Sequence, residues 1–135
     1  MPTVISFEAF ASFLVYFAVA LAFVAAFAAL YMAITPHHEA TLIRAGNTAA
    51  AISLGGAVLG FTLPLASVII HSVSLVDMAV WSIVAFTVQL AVYRLVDFLL
   101  RDISKHIDEG NVAAATTLAV ASLAIGAINA ASMAY

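Results

Sequence analysis

Side chains able to do chemistry are few in this sequence, and most stand in two short stretches. One holds His37, His38, Glu39 and Arg44; the other holds Arg94, Asp97, Arg101, Asp102, Lys105 and His106. Nucleophilic catalysis needs a Ser, Thr or Cys beside a base that a third group orients. Cys is absent, and no Ser-His-Asp arrangement, phosphate loop or facing carboxylate pair stands out, so no enzyme is expected. His37 and His38 are adjacent, so on a helix they point about 100° apart, whereas a metal pair wants i,i+3 or i,i+4 spacing. His71 and His106 belong to opposite ends of the apolar stretches described below, and the interiors of those stretches contain no His. Neither a metal site nor a haem or other cofactor is expected. Nucleic acid is excluded as a partner, because four Lys and Arg and a net charge of -3 cannot neutralise a run of phosphates.

Polar amides within apolar surroundings are the other candidates. Gln89 stands two turns inside an apolar run, where an interhelical hydrogen bond, to Ser53, Thr62 or Thr117, is one reading and a constriction in a solute path is the other. With Asn129, Thr62, Asn47 and Asn111 it makes up the polar set that such a path would use. Small residues form a further set. The pair Gly56 and Gly60 has Gly55 beside it, Ala127 and Ala131 have Gly126 beside them, and Ala11, Ala18, Ala22, Ala25, Ala29 and Ala33 share one helical face. Small residues let helix backbones approach closely in lipid, either within one bundle or between copies.

The elements that must position these residues follow from composition. Of 135 residues 66% are apolar and only 8% are Asp, Glu, Lys or Arg, with a mean hydropathy of +1.19, which excludes an ordinary water-soluble domain. A bilayer core takes about 20 helical residues. Four stretches meet or approach that: Phe7 to Ile34, Asn47 to Ile70, Met78 to Tyr93 with a continuation through Leu95, Val96, Phe98, Leu99 and Leu100, and Asn111 to Tyr135. The first is expected to be a retained span and not a cleaved signal, because no Lys or Arg precedes it and its apolar run is too long. The fold expected is therefore all-α and integral to a membrane, a single domain over residues 1–135.

Glu8 and Asp77 fall at helix starts, where the helix dipole favours them; Ser74 and Asp77 have capping-box spacing. Pro64 is expected to kink the second span, with Thr62 bonding a freed carbonyl. Pro36 is expected to open a short helical segment. Arg94, Asp97, Arg101, Asp102, Lys105 and His106 alternate in sign at helical spacing, while Val96, Leu99, Leu100, Ile103 and Ile107 form an apolar stripe. This predicts an amphipathic, self-paired extension of the third span along the inner surface, with a docking site for a cytoplasmic partner as the alternative. Arg44, Arg94, Arg101 and Lys105 all flank the first and third connections, so the positive-inside rule puts both connections in the cytoplasm and both termini outside. Tyr31 and Tyr93, and Trp81 and Tyr135, are expected as aromatic belts.

A shift of 64 residues lays Ile43, Gly46 and Asn47 on Ile107, Gly110 and Asn111 without a gap. It predicts two tandem two-helix repeats of the same orientation, about 5–72 and 73–135, related by an axis along the membrane normal. Gly46 and Gly110 then suit a left-handed turn, with Asn47 and Asn111 as helix caps. As a pseudo-symmetric pair lining a vestibule, the asparagines have a second reading.

The run Ile34-Thr-Pro-His-His-Glu39, then Leu42-Ile43, Gly46-Asn47-Thr48-Ala49-Ala50 and Gly60-Phe-Thr-Leu-Pro64-Leu-Ala-Ser67, resembles the YjfL family of bacterial inner-membrane proteins. Asn111 to Ala115 and Gly126 to Ala131 fit the same pattern. The resemblance implies a four-span inner-membrane protein built from a repeated two-helix unit, with gene neighbours linked to envelope stress and to polyamine-ligase-like enzymes. It carries no catalytic residue. The reading favoured is a non-enzymatic assembly, accessory-subunit or envelope-stress component, homo-oligomeric or part of a larger membrane complex. The alternative is an oligomeric channel or permease for a small neutral or cationic solute.

Overall fold

In the computed structural model, residues 6–133 are described. They form six helices: α1 (Phe7–Ile34), α2 (Glu39–Arg44), α3 (Thr48–His71), α4 (Leu75–Leu100), α5 (Ile103–Asp108) and α6 (Val112–Ser132). Helices α1, α3, α4 and α6 are each long and apolar enough to cross a membrane. A lipid bilayer is thus the surrounding of an all-helical fold. Tyr135, the last residues of the fourth expected span and the outer limits of the proposed repeats lie outside the described residues.

Each long helix starts at a side chain that accepts from an otherwise unpaired amide of its first turn. Ser6 accepts from Ala9 N (3.1 Å), Asn47 from Ala50 N (3.0 Å), Ser74 from Asp77 N (3.1 Å) and Asn111 from Ala114 N (3.1 Å). Asp77 reaches back to Val73 N at 3.1 Å. Helix α1 stops at Thr35 because the residue before a proline is pushed into extended backbone, here ψ 133°. Pro36 does not open a helix, contrary to the sequence expectation; α2 begins three residues later, at Glu39.

The turns after α2 and α5 are near copies. Gly46 has φ +87° and Gly110 +81°, conformations an L side chain rarely adopts. Asn47 N donates to Leu42 O (2.8 Å) and Gly46 N to Ile43 O (3.0 Å); Asn111 N donates to His106 O and Gly110 N to Ile107 O, both at 2.9 Å. These paired bonds close each helix as a Schellman motif, and the same Asn then caps the next span.

The expected continuous extension of α4 is interrupted. Arg101 and Asp102 both have positive φ, 53° and 51°, so the chain turns and restarts as α5. Arg101 N donates to Asp97 O (2.8 Å) and Ile103 N to Asp97 Oδ1 (3.2 Å), so Asp97 fixes the joint. The turn puts Ile103 and Ile107 wholly inside while Leu99 and Leu100 stay outside, which splits the apolar stripe read from the sequence. The alternating charges do not pair either. Among the described residues the ion pair within 4 Å is His37 with Glu39.

Helices α3 and α6 make the closest approach. A Cβ at Gly56 would collide with the Cα and Cβ of Ala119, one at Gly60 with the Ser122 carbonyl, and one at Gly126 with the Gly60 carbonyl. Helix α1 is held against α3 and α4 by three rings: Phe27 stacks on Phe61 (4.6 Å, 13°), and Phe86 meets both edge-on at 5.3 and 5.5 Å. Tyr31 and Tyr93 are also core residues, 1% and 2% exposed, with rings 6.0 Å apart. The belt expectation fails for them, since their rings pack on one another instead of facing the membrane interface.

Candidate functional site

Two polar centres lie inside the bundle. The first, well inside the spans, joins α4 to α6. Gln89 Nε2 donates to Ser122 O at 3.1 Å, and Asn129 Nδ2 donates to Gln89 Oε1 at 3.3 Å and reaches Ala85 O at 3.5 Å. Gln89 thus bonds neither Ser53, Thr62 nor Thr117; it lies on the buried face of α4, which looks at α6. Ser82, two turns earlier on that face, has a buried hydroxyl with no partner among the described residues. Thr62 turns back on its own helix and donates to Leu59 O at 2.7 Å, not to the Gly60 carbonyl that Pro64 frees.

The second centre sits at the end of the bundle where α2 and α5 lie. Thr35 and Tyr31 come from the last turns of α1, His37 from the link, Glu39 from the start of α2, Tyr93 from α4 and Ser104 from α5. The Tyr93 hydroxyl is 2.8 Å from Ser104 Oγ, which bonds His37 Nδ1. His37 Nε2 stands 3.2 Å from Glu39 Oε1, close enough for an ion pair but out of line for a hydrogen bond. The Thr35 hydroxyl donates to the same Glu39 oxygen. Glu39 is 1% exposed and His37 4%. Glu39 Oε2 and the Tyr31 hydroxyl, both buried, have no partner among the described residues. Beside this centre opens a cleft of about 620 Å³ whose walls include His37, Tyr93, Ser104, Asp97, Asp102 and Lys105.

The other candidates read from the sequence are spread out. Gly56, Gly60 and Gly126 are buried in the α3–α6 contact, whereas Gly55, Ala127 and Ala131 are exposed. A Cβ on Gly55 would meet nothing within 4 Å. Asn47 donates across to Ile107 O at 3.0 Å and so ties the start of α3 to the end of α5; Asn111 is exposed. Arg44, Arg94, Arg101 and Lys105 are exposed and Asp97 is half-buried. Sequence reasoning weighs His37 and Glu39 only as metal ligands and Tyr31 only as a belt residue, and gives Thr35 and Ser104 no part in a site. The usable signal is numerical: a shift of 64 residues sets Glu39 opposite Ile103.

No solved structure matches this chain. At 38% identity it is similar to the UPF0719 inner membrane protein YjfL of Escherichia coli K12, over 92% of this chain and 94% of that protein. The YjfL protein of Escherichia coli O157:H7 matches to the same extent. The family model described as Domain of Unknown Function (DUF350) matches residues 5–133. With nearly its whole length aligned both to the family model and to a relative of equal span, the chain belongs to the DUF350 family.

Proposed function

We propose that this protein is a non-enzymatic assembly component of the bacterial inner membrane, one that associates with a second copy or with another membrane protein along the outward face of α1. The observation that carries this is the placement of the small residues. Gly56 and Gly60 of α3 and Gly126 of α6 are used up inside the bundle and Gly55, Ala127 and Ala131 are exposed, whereas Ala18, Ala22, Ala25, Ala29 and Ala33 form a continuous row on the outside of α1. Lipid chains gain nothing from alanine over leucine, while a second helix gains close backbone approach. The same helix is the most apolar and the least buried of the four spans.

The inner-membrane placement rests on the name of the Escherichia coli relatives. Its orientation follows from Arg44, Arg94, Arg101 and Lys105, which cluster at the α2–α5 end and favour the cytoplasm for that end and the outside for both termini. The duplicated two-helix unit is supported by α2 and α5, each six residues long and each followed by the same turn, cap and span start.

Native mass spectrometry of gently extracted protein tests the assembly reading. Ala22→Leu with Ala29→Leu is expected to cut the oligomeric or partner-bound fraction about tenfold with the melting temperature unchanged. An unaltered stoichiometry would sink it.

One observation favours the channel or permease reading: Gln89, Asn129 and the unpartnered Ser82 hydroxyl mark a polar track along α4. A small neutral or cationic solute is what such a track suits, within an oligomer. Reconstituted liposomes that leak no faster than empty ones under any imposed gradient would remove it.

A further inference from the structure

One face of α1 is covered over only half its length. Ala9, Tyr16, Ala20, Phe27 and Tyr31 follow one another at spacings of 7, 4, 7 and 4 and so share that face. Phe27 and Tyr31 pack into the core and Ala20 is buried, whereas no residue of α1 before Ala20 is. There, between α1 and the end of α3, lies a groove of about 480 Å³ that runs from Ala9 to Ala20 and meets Ile69 and Ser72 on its far side.

The groove has the depth of one leaflet. Ala9 and Ala20 are eleven residues apart, about 16 Å along a helix, and Ala20 stands at the middle of α1; the hydrocarbon core is about 30 Å thick, so the groove reaches from near the membrane surface to near the midplane. Its section suits a hydrocarbon chain and not a helix. The volume spread over that depth gives roughly 30 Å², against roughly 80 Å² for a helix about 10 Å across. Phe13 and Phe17 on its wall stack at 5.6 Å and 13°, and each is more than half exposed, so the groove opens sideways to lipid. Water finds too few partners on such walls, and an empty groove would forfeit contacts along its whole lining.

We infer that this groove binds one acyl chain of a phospholipid from the leaflet on that side. Ser12, in the second turn of α1, and Ser72, directly after α3, supply hydroxyl donors near its mouth for the ester oxygens. All four Lys and Arg lie toward the other end of the bundle, while Glu8 and Asp77 lie at this one, so the headgroup it suits is zwitterionic and not anionic. The alanine row occupies the opposite face of α1, and the groove therefore stands whether or not that row mediates assembly.

The test is photo-crosslinking of the purified chain in lipid nanodiscs that contain a phosphatidylethanolamine with a diazirine in its acyl chain, followed by peptide mapping. Phe13 and Phe17 are expected to be labelled several-fold above Val80 and Ile83, which are comparably exposed near the start of α4 in the same half of the membrane. Ser12→Trp, which fills the groove, should abolish that excess, and Leu14→Trp, at the same depth on another face, should preserve it. Ala9→Phe gives the same readout as Ser12→Trp should the tryptophan variant not fold. Equal labelling of the four residues in the unaltered chain would reduce the groove to ordinary lipid contact and overturn the site. Weaker labelling of Phe13 and Phe17 than of Val80 and Ile83 would mean that protein fills the groove, and would overturn it too, as would an excess undiminished in both filled variants. Labelling as strong from a phosphatidylglycerol analogue would overturn the headgroup assignment.

Discussion

The backbone carbonyl of Gly60, left without its helical donor by Pro64, faces the Cα of Gly126 across the α3–α6 contact. Proline supplies no N–H to the carbonyl four residues before it, so this oxygen needs another partner. A glycine Cα–H is one of the few groups small enough to reach it, in a contact worth about 0.5–1 kcal/mol.

Replacing Gly126 by alanine is therefore expected to destabilise the protein by about 1–3 kcal/mol, since the new methyl meets backbone that cannot swing away. Gly56→Ala meets the Cα of Ala119 and should behave alike. Gly55→Ala, facing open space, should be neutral or slightly stabilising. Unfolding in mixed micelles by added SDS ranks the three, and equal midpoints for all would refute the packing account.

Gln89 and Asn129 are expected to be energetically coupled. Removing either hydrogen bond between α4 and α6 should cost about 0.6–1.7 kcal/mol. A double-mutant cycle with Gln89→Leu and Asn129→Leu measures the coupling, and strict additivity would show that the 3.3 Å bond contributes nothing.

The two cap asparagines should not be equal. Asn111→Ala loses a cap, about 1 kcal/mol. Asn47→Ala loses a cap and the 3.0 Å bond to Ile107 O, roughly 1 kcal/mol more. The same SDS titration reads the difference, and indistinguishable losses would mean that the bond across to α5 is idle.

Strain at the α4–α5 joint is relievable. Asp102 holds a left-handed conformation, φ 51° and ψ 36°, with no side-chain cap bond in return. Asp102→Gly is expected to gain about 0.5–1 kcal/mol, because left-handed backbone costs an L residue about 1–2 kcal/mol, partly offset by the freer unfolded chain. A lowered unfolding midpoint would contradict this.

Much of this protein is legible in its sequence because it is local. Apolar length marks the four spans, Ser and Asn before apolar runs mark the caps, and Gly-Asn marks the turns after α2 and α5. The connections are less legible. Pro36 suggests a helix start that the chain delays to Glu39, and the continuous stripe from Val96 to Ile107 hides a backbone reversal at Arg101 and Asp102 that no Gly or Pro announces.

The tertiary structure alone decided which face of each span is buried. In a soluble helix an apolar stripe opposite a polar one marks the core, but here lipid and core are equally apolar, so hydrophobicity does not choose between them. Shape and hydrogen bonding choose instead. They turn Gly56 and Gly126 inward but leave Gly55 and the α1 row from Ala18 through Ala22, Ala25 and Ala29 to Ala33 outside, and they give Gln89 a carbonyl and an amide on α6. Glu39 shows the limit most plainly. Its spacing and neighbours place a carboxylate on a polar connection, and only the tertiary structure, which sets it between Thr35 and His37, takes that carboxylate out of water.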